Sequence, residues 1–161
     1  MLRAVKDLDV AYVPIGLGFR ICGMLAARDA LNLRNEIFGV VSANASAYAE
    51  SFSSGSPVES PVSTNIADGK ACSVPEESAL EMIWAVVERI VQVSDTEIAE
   101  SMRMMYECTH NVCEGAGAAA IAAALQDSAK NIGRKVAVIA SGGNVDRDVF
   151  AKILNGENYA D

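Results

Sequence analysis

Two short turns of small residues carry the clearest chemical signal in this sequence. Gly16-Leu17-Gly18 follows an apolar run at 10–15, and Ser141-Gly142-Gly143-Asn144 follows another at 136–140. Glycine lets the backbone approach a phosphate closely, and a helix that begins after such a turn offers unpaired N–H groups and a favourable dipole. Each turn could therefore bind a phosphate, or it could serve only to reverse the chain.

Three further residues could bind a ligand, and each also has a structural explanation. The Ser141 hydroxyl could hydrogen-bond a heteroaromatic nitrogen without placing a charge beside it, or it could cap a turn. The Glu114 carboxylate could lie beside a bound ring, or it could complement the dipole of the helix that Gly115 begins. Asp68 lies in Ile66-Ala67-Asp68-Gly69, a sequence that also suits an Asx turn.

Histidine and cysteine chemistry find little support. His110 is the only histidine, so the chain cannot assemble a histidine triad, and a lone general base competes with a structural role for this residue. The four cysteines show no CxxC spacing and no clustered histidines, which predicts reduced, mostly buried thiols and no zinc site. Cys113, next to Glu114, is the thiol that could be reactive.

Alternating strands and helices would position these residues. The apolar runs predict strands at 10–15, 37–41, 90–93 and 136–140. Helical spacing and capping patterns predict helices at 21–31, 45–52, 75–89, from the capping-box sequence at 94–97 onwards, at 114–125, and at 144–154 with Asn144 as cap. This order is typical of an α/β fold with an open, mostly parallel sheet and helices on both faces, and ligands bind such sheets beyond the carboxyl ends of the strands.

Composition limits the class of protein. The chain has 161 residues, of which 51% are hydrophobic and 21% are charged. This length and composition predict one compact domain over 1–161 and exclude a disordered protein. The net charge of -8 disfavours nucleic acid as a partner. The longest apolar run, 115–125, is too short to cross a bilayer, and the first residues lack a signal-peptide core. We therefore expect a cytoplasmic protein without a membrane partner.

Taken in order, several segments resemble the threonine/serine dehydratase family of fold-type-II pyridoxal-phosphate enzymes. The resemblance covers nearly the whole chain and implies part of the large domain of such an enzyme, pyridoxal 5'-phosphate as cofactor, and β-elimination from a small hydroxy-amino acid. The segments are VPIGLGFRICGMLAARDAL, EIFGVVS, STNIADGKA, ERIVQVSDTEIAESM, NVCEGAGAAAIAA and KVAVIASGGNVDRDVF.

The resemblance also implies roles for individual residues. Ser141, with Gly142 after it, corresponds to the serine that hydrogen-bonds the pyridine nitrogen. Glu114 corresponds to the glutamate of the EP(S/T)(G/A)-type motif near the ring, and Asp68 falls in the ADG motif that lines the same cleft. The family's phosphate-cradling loop corresponds to Gly16, Leu17, Gly18 and Phe19.

The sequence departs from the family pattern in three ways. The lysine that forms the Schiff base lies in an N-terminal SxKxRG-like motif that this chain lacks, so we expect a C-terminal half without a catalytic residue. Phe19 and Arg20 stand where the family has small and apolar residues; Phe19 would crowd a phosphate, whereas Arg20 could pair with it. Two carboxylates that bind a metal in some members correspond to Val41 and Ala47, so we predict no metal site.

Three hypotheses follow from this pattern. The chain could be an enzyme fragment that keeps the cofactor-binding elements and is inactive alone. It could instead be a non-catalytic binding or assembly module with a vestigial phosphate site. A separate chain could also supply the N-terminal half, and sheet edges left exposed would favour a homo-oligomer.

Overall fold

The fold is built on one parallel sheet. The structure is a computed structural model, and it describes residues 1–157, apart from the side chain of Lys70. The sheet has the order β3-β2-β1-β4, and every strand pair is parallel. Its strands are β1 (Val10–Pro14), β2 (Glu36–Ser42), β3 (Arg89–Val93) and β4 (Val136–Val138). The α/β class with a parallel sheet is thereby confirmed.

Helices cover both faces of the sheet. They are α1 (Phe19–Ala30), α2 (Ala47–Ser54), α3 (Glu77–Val86), α4 (Asp95–Thr109), α5 (Gly115–Gln126) and α6 (Arg147–Leu154). Val10 and Tyr12 pack with α4, α5 and α6, while Ala11 and Val13 pack with α1, α2 and α3. This alternation follows from the two-residue period of a strand, and it explains why β1 is apolar at every position. Within residues 1–157, no helix is both long and apolar enough to span a membrane.

Helix α5 is packed unusually close to its neighbours because glycine and alanine line its first turns. A Cβ atom on Gly115 would lie 2.0 Å from the carbonyl oxygen of Ile66. A Cβ on Gly117 would lie 2.7 Å from the Cys113 Sγ and 2.8 Å from the carbonyl oxygen of Gly142. Side chains do not tolerate such distances, so both positions require glycine. The amino end of α5 is therefore clamped between the segment before residue 70 and the turn after β4.

Two predictions about the carboxyl-terminal part are wrong. Strand β4 is shorter than 136–140 and is not buried, since Val136 and Val138 are 36% and 37% exposed. The reason is its place at the edge of the sheet, where it pairs with β1 alone among the described strands. The last helix begins at Arg147 with Asp146 as its N-cap, so Asn144 does not cap it.

The other helix predictions hold in part. The helix predicted at 75–89 is too long, because α3 begins at Glu77 after Pro75 and ends at Val86, and Arg89 begins β3. The capping box at the start of α4 is confirmed: the Glu97 N–H donates to the Ser94 Oγ at 3.3 Å, and the Ser94 N–H donates to the Glu97 Oε2 at 2.8 Å. The stretch from 56 to 74 carries only one short 3-10 turn, Asp68–Lys70, in agreement with the expected lack of regular structure.

A buried polar network ties β1 to the far end of α5. The Tyr12 hydroxyl donates to the Asp127 Oδ2 at 2.9 Å, and the Lys130 Nζ donates to the Asp127 Oδ1 at 2.9 Å. The Arg89 guanidinium, which lies over the Phe38 ring, also pairs with Asp127. Both Tyr12 and Asp127 are buried, so the hydroxyl satisfies an acceptor that water does not reach.

We expect the substitution Tyr12→Phe to lower the free energy of unfolding by about 1 to 2 kcal/mol, because Asp127 would lose a buried donor. Urea denaturation monitored by circular dichroism measures this difference. Tyr106→Phe is the matched control, since Tyr106 is exposed and packs edge-on against Phe150. Equal effects of the two substitutions would contradict a stabilising role for the Tyr12 hydroxyl.

Candidate functional site

The turn after β1 has a backbone that only glycine fits. Gly18 is the N-cap of α1 and has φ of +90°. A Cβ there would lie 2.5 Å from the Ala79 Cβ and 3.0 Å from the Tyr48 Oη. The first turn of α1 leaves N–H groups without partners inside the helix, at the carboxyl edge of the sheet. The turn thus has the backbone arrangement expected of a phosphate-binding loop.

Tyr48 packs against this loop, with its hydroxyl next to Gly18. It is buried, and its hydroxyl accepts a hydrogen bond from the Glu76 N–H at 3.1 Å. Burial is the main cause that raises the pKa of the Tyr48 phenol above its ordinary value. The phenol therefore stays neutral beneath the loop and places no negative charge there.

A cavity of about 460 Å³ lies beside the loop. Its lining residues are Pro14, Gly16, Leu17, Gly18, Phe19, Arg20 and Gly69. Phe19 is 76% exposed, so its ring borders the cavity without packing into the core. Arg20 is also exposed and has no ion-pair partner among residues 1–157, which leaves its guanidinium available at the cavity.

A second, smaller cavity of about 200 Å³ is bordered by Glu114 and Asp68. The Glu114 N–H donates to the carbonyl oxygen of Gly142 at 3.1 Å. A Cβ on Gly142, whose φ is +104°, would lie 2.4 Å from the Glu114 Oε1, and one on Gly69 would lie 3.9 Å from it. The Glu114 carboxylate therefore sits in a cleft with glycine walls.

Gly69 connects the two cavities. It borders both the loop cavity and the Glu114 cleft, so the two lie side by side at the same edge of the sheet. The structure thus brings together three segments that are far apart in the sequence: the turn at 16–20, the segment at 65–69, and the start of α5.

Ser141 lies near this cleft. Its carbonyl oxygen would be 3.1 Å from a Cβ on Gly117, which places the residue beside the first turn of α5. The side chain is partly buried, and its hydroxyl has no hydrogen-bond partner within the described part of the chain. Ser141 lines neither cavity, so its hydroxyl lies beside the first turn of α5, next to the Glu114 cleft and not in its wall.

Two other candidates from the sequence analysis are not available at the two cavities: His110 lies outside both of them, and Cys113 is buried. His110 ends α4 with φ of +57°, is exposed, and its Nδ1 lies 3.1 Å from the carbonyl oxygen of Tyr106. It lines neither cavity, which favours its structural explanation. Cys113 is only 2% exposed, so reagents in solution have little access to its thiol.

Sequence reasoning gave two residues of this region no role of their own. Gly69 was read as part of a turn and of the ADG motif, although a glycine directly after Asp68 is also a signal that the backbone there packs closely. Asp95 was read only as part of a capping box, and its carboxylate is in fact buried against residues 64 and 65. No local pattern reveals such a long-range contact.

The arrangement fits a planar ring that carries a phosphate. The loop with Arg20 offers backbone N–H groups and a positive charge, and the adjoining cleft offers glycine walls and a carboxylate. Among the described side chains, no lysine lines either cavity. The site therefore has the groups for non-covalent binding.

Comparison with known proteins identifies the family. A family model for pyridoxal-phosphate dependent enzymes matches residues 1–142. L-threonine ammonia-lyase of Thermotoga maritima is 31% identical over 155 residues, which are 96% of this chain and 38% of that protein. L-threo-3-hydroxyaspartate ammonia-lyase of Saccharomyces cerevisiae is 33% identical over 157 residues, or 98% and 48% of the two chains.

Solved structures agree with this result. The processed form of threonine deaminase isoform 2 from Solanum lycopersicum superposes with a TM-score of 0.88 at 27% identity, over 96% of this chain and 46% of that one. Maize serine racemase gives a TM-score of 0.84 at 30% identity, over 96% and 48%. The chain thus spans about half the length, or less, of the relatives that it matches. Together with the fold and the residues at the sheet edge, these matches establish that the chain belongs to the pyridoxal-phosphate dependent enzyme family, whose cofactor is pyridoxal 5'-phosphate.

Proposed function

We propose that this chain is the cofactor-binding portion of a threonine/serine dehydratase, without a covalent lysine among its own residues. The whole enzyme would convert a hydroxy-amino acid into a 2-oxo acid and ammonia by β-elimination. The observation that carries the proposal is that Gly69 borders both the loop cavity and the Glu114 cleft, so that the two cavities adjoin.

Each residue has a role in this proposal. The backbone of Gly16, Leu17, Gly18 and Phe19 would hold the phosphate at the start of α1. The Ser141 hydroxyl, with Gly142 beside it, would hydrogen-bond the ring nitrogen, and Glu114 would lie along the ring. When bound, pyridoxal phosphate supplies the electron-withdrawing ring that elimination requires, and a neutral partner such as a hydroxyl leaves its nitrogen unprotonated.

The substrate and partners extend the proposal beyond this chain. The names of the relatives favour threonine or 3-hydroxyaspartate as the hydroxy-amino acid of the whole enzyme, and maize serine racemase adds serine. We also propose a cytoplasmic protein that forms a homo-oligomer or joins a chain that carries the N-terminal half. The unpaired edge of β4, with its two exposed valines, supports such an association.

A non-catalytic assembly module is the alternative. It is favoured by Leu17 and Phe19, which are 59% and 76% exposed at the loop and present apolar surface where a phosphate would bind. In that case the loop would contact another protein, and phosphate binding would be weak or absent.

Titration of the purified chain with pyridoxal phosphate separates these possibilities. We expect saturable changes in visible absorbance, competition by inorganic phosphate, and no cofactor left on the protein after borohydride reduction and denaturation. Attachment to one defined lysine would contradict the absence of the covalent residue and justify assays with threonine and serine. No binding at all would favour the assembly module.

The role of Arg20 can be tested with inorganic phosphate alone. We expect Arg20→Leu to weaken phosphate binding about fivefold at low ionic strength, or about 1 kcal/mol, because an unpaired guanidinium faces the loop cavity. Isothermal titration calorimetry measures the change. Arg34→Leu is the control, since Arg34 lies near the amino ends of the strands, away from the loop cavity. A phosphate affinity that is unchanged by Arg20→Leu would exclude this role.

A further inference from the structure

We propose that Asp95 is a positioning residue of the cofactor cleft, which it shapes by holding the segment at 64–69 against the start of α5. The inference rests on the proposed function, because it concerns the wall of the same cleft. Asp95 lies at the beginning of α4, directly after β3, and its side chain is fully buried.

The Asp95 carboxylate accepts hydrogen bonds from three neutral donors. The Thr64 hydroxyl donates to the Oδ1 at 2.8 Å, and the Asn65 N–H donates to the Oδ2 at 2.8 Å. The Ser42 hydroxyl, at the end of β2, donates more weakly to the Oδ1 at 3.5 Å. A carboxylate is costly to bury, and no cation pairs with this one among the side chains that the structure describes.

Helix capping does not explain the burial of Asp95. The capping box of α4 is already complete, because Ser94 and Glu97 satisfy each other's backbone N–H groups. Two of the three donors to Asp95 belong instead to a segment about thirty residues earlier in the chain. The carboxylate therefore serves a long-range contact, with the dipole of α4 as an added benefit.

Thr64 relays this contact to the cleft. Its Oγ1 accepts a hydrogen bond from the Ala67 N–H at 3.1 Å, which fixes the turn just before Asp68 and Gly69. Both of these residues line the Glu114 cleft, and the carbonyl of Ile66 occupies the space that a side chain on residue 115 would need. The chain of contacts thus runs from Asp95 through Thr64 to the cleft wall.

The other hydrogen bonds that hold the segment between α2 and α3 lie outside residues 64–69. The Val58 N–H donates to the Ser51 Oγ at 2.8 Å, the Ser63 N–H donates to the carbonyl oxygen of Asn44 at 2.8 Å, and the Glu76 N–H donates to the Tyr48 hydroxyl at 3.1 Å. Apart from the turn at Asp68–Lys70 the segment has no helix or strand to hold it. Loss of the Asp95 contacts would therefore loosen the cleft wall while the sheet and α5 keep their own packing.

The matched substitutions Thr64→Val and Thr64→Ser test this proposal. Valine keeps the shape of the side chain but removes the hydroxyl, whereas serine retains it. With Thr64→Val, we expect amide hydrogen exchange at residues 65–69 to rise at least tenfold and pyridoxal phosphate to bind at least fivefold more weakly. Affinity for inorganic phosphate should change less than twofold, because that group needs only the loop at 16–20. Thr64→Ser should restore all three values.

Asp95→Asn gives a second, independent variant. An amide has one acceptor oxygen in place of two, so it cannot accept from both the Thr64 hydroxyl and the Asn65 N–H on separate oxygens. We expect faster exchange at residues 65–69 in this variant too, with the capping box of α4 still protected.

The outcomes are separable from those of the proposed function. Unchanged exchange at 65–69 in Thr64→Val and Asp95→Asn would overturn the inference, as would an equal loss of phosphate and cofactor affinity that follows a drop in overall stability. A wild-type chain that binds no pyridoxal phosphate would sink the proposed function. The exchange results alone would then still decide whether Asp95 holds this segment.

Discussion

The close approach of α5 to its neighbours governs the geometry of this protein. Because Gly115 and Gly117 lack side chains, the Ile66 carbonyl and the turn after β4 reach the helix backbone itself. That contact brings residues 65–69, Glu114 and Gly142 into one cleft at the carboxyl edge of the sheet. A larger side chain at either glycine would push these segments apart, so the cleft and the packing of α5 depend on the same constraint.

The loop after β1 completes the site through a different constraint, the left-handed backbone of Gly18. This conformation starts α1 at the sheet edge, and Gly69 joins the loop cavity to the cleft. Because the chain belongs to the pyridoxal-phosphate dependent family, we propose that the ligand of these two cavities is pyridoxal phosphate. The chain spans about half the length, or less, of the relatives that it matches, and no described lysine side chain lines the cavities.

Local patterns were enough to predict strands β1 and β2, because strands that are buried on both faces are continuous apolar runs. They were also enough to predict the start of α4, because Ser94 and Glu97 stand at the spacing of a capping box. Strand β4 was predicted to be buried because it contains valines. The prediction failed because a sequence does not show which strand lies at the side of the sheet. The part played by Asp95 was also invisible, since it depends on partners some thirty residues away. Long-range contacts, more than local propensity, account for what the sequence left out.

A phosphorylated ring that binds across the loop at 16–20 and the Glu114 cleft would perturb the residues on both sides of Gly69. Amide chemical shifts recorded during titration with pyridoxal phosphate detect this binding. We expect the largest changes at residues 16–20, Gly69, Glu114 and Gly142, with inorganic phosphate affecting only the loop. Changes confined to the opposite edge of the sheet, around Arg34 and Arg134, would contradict it.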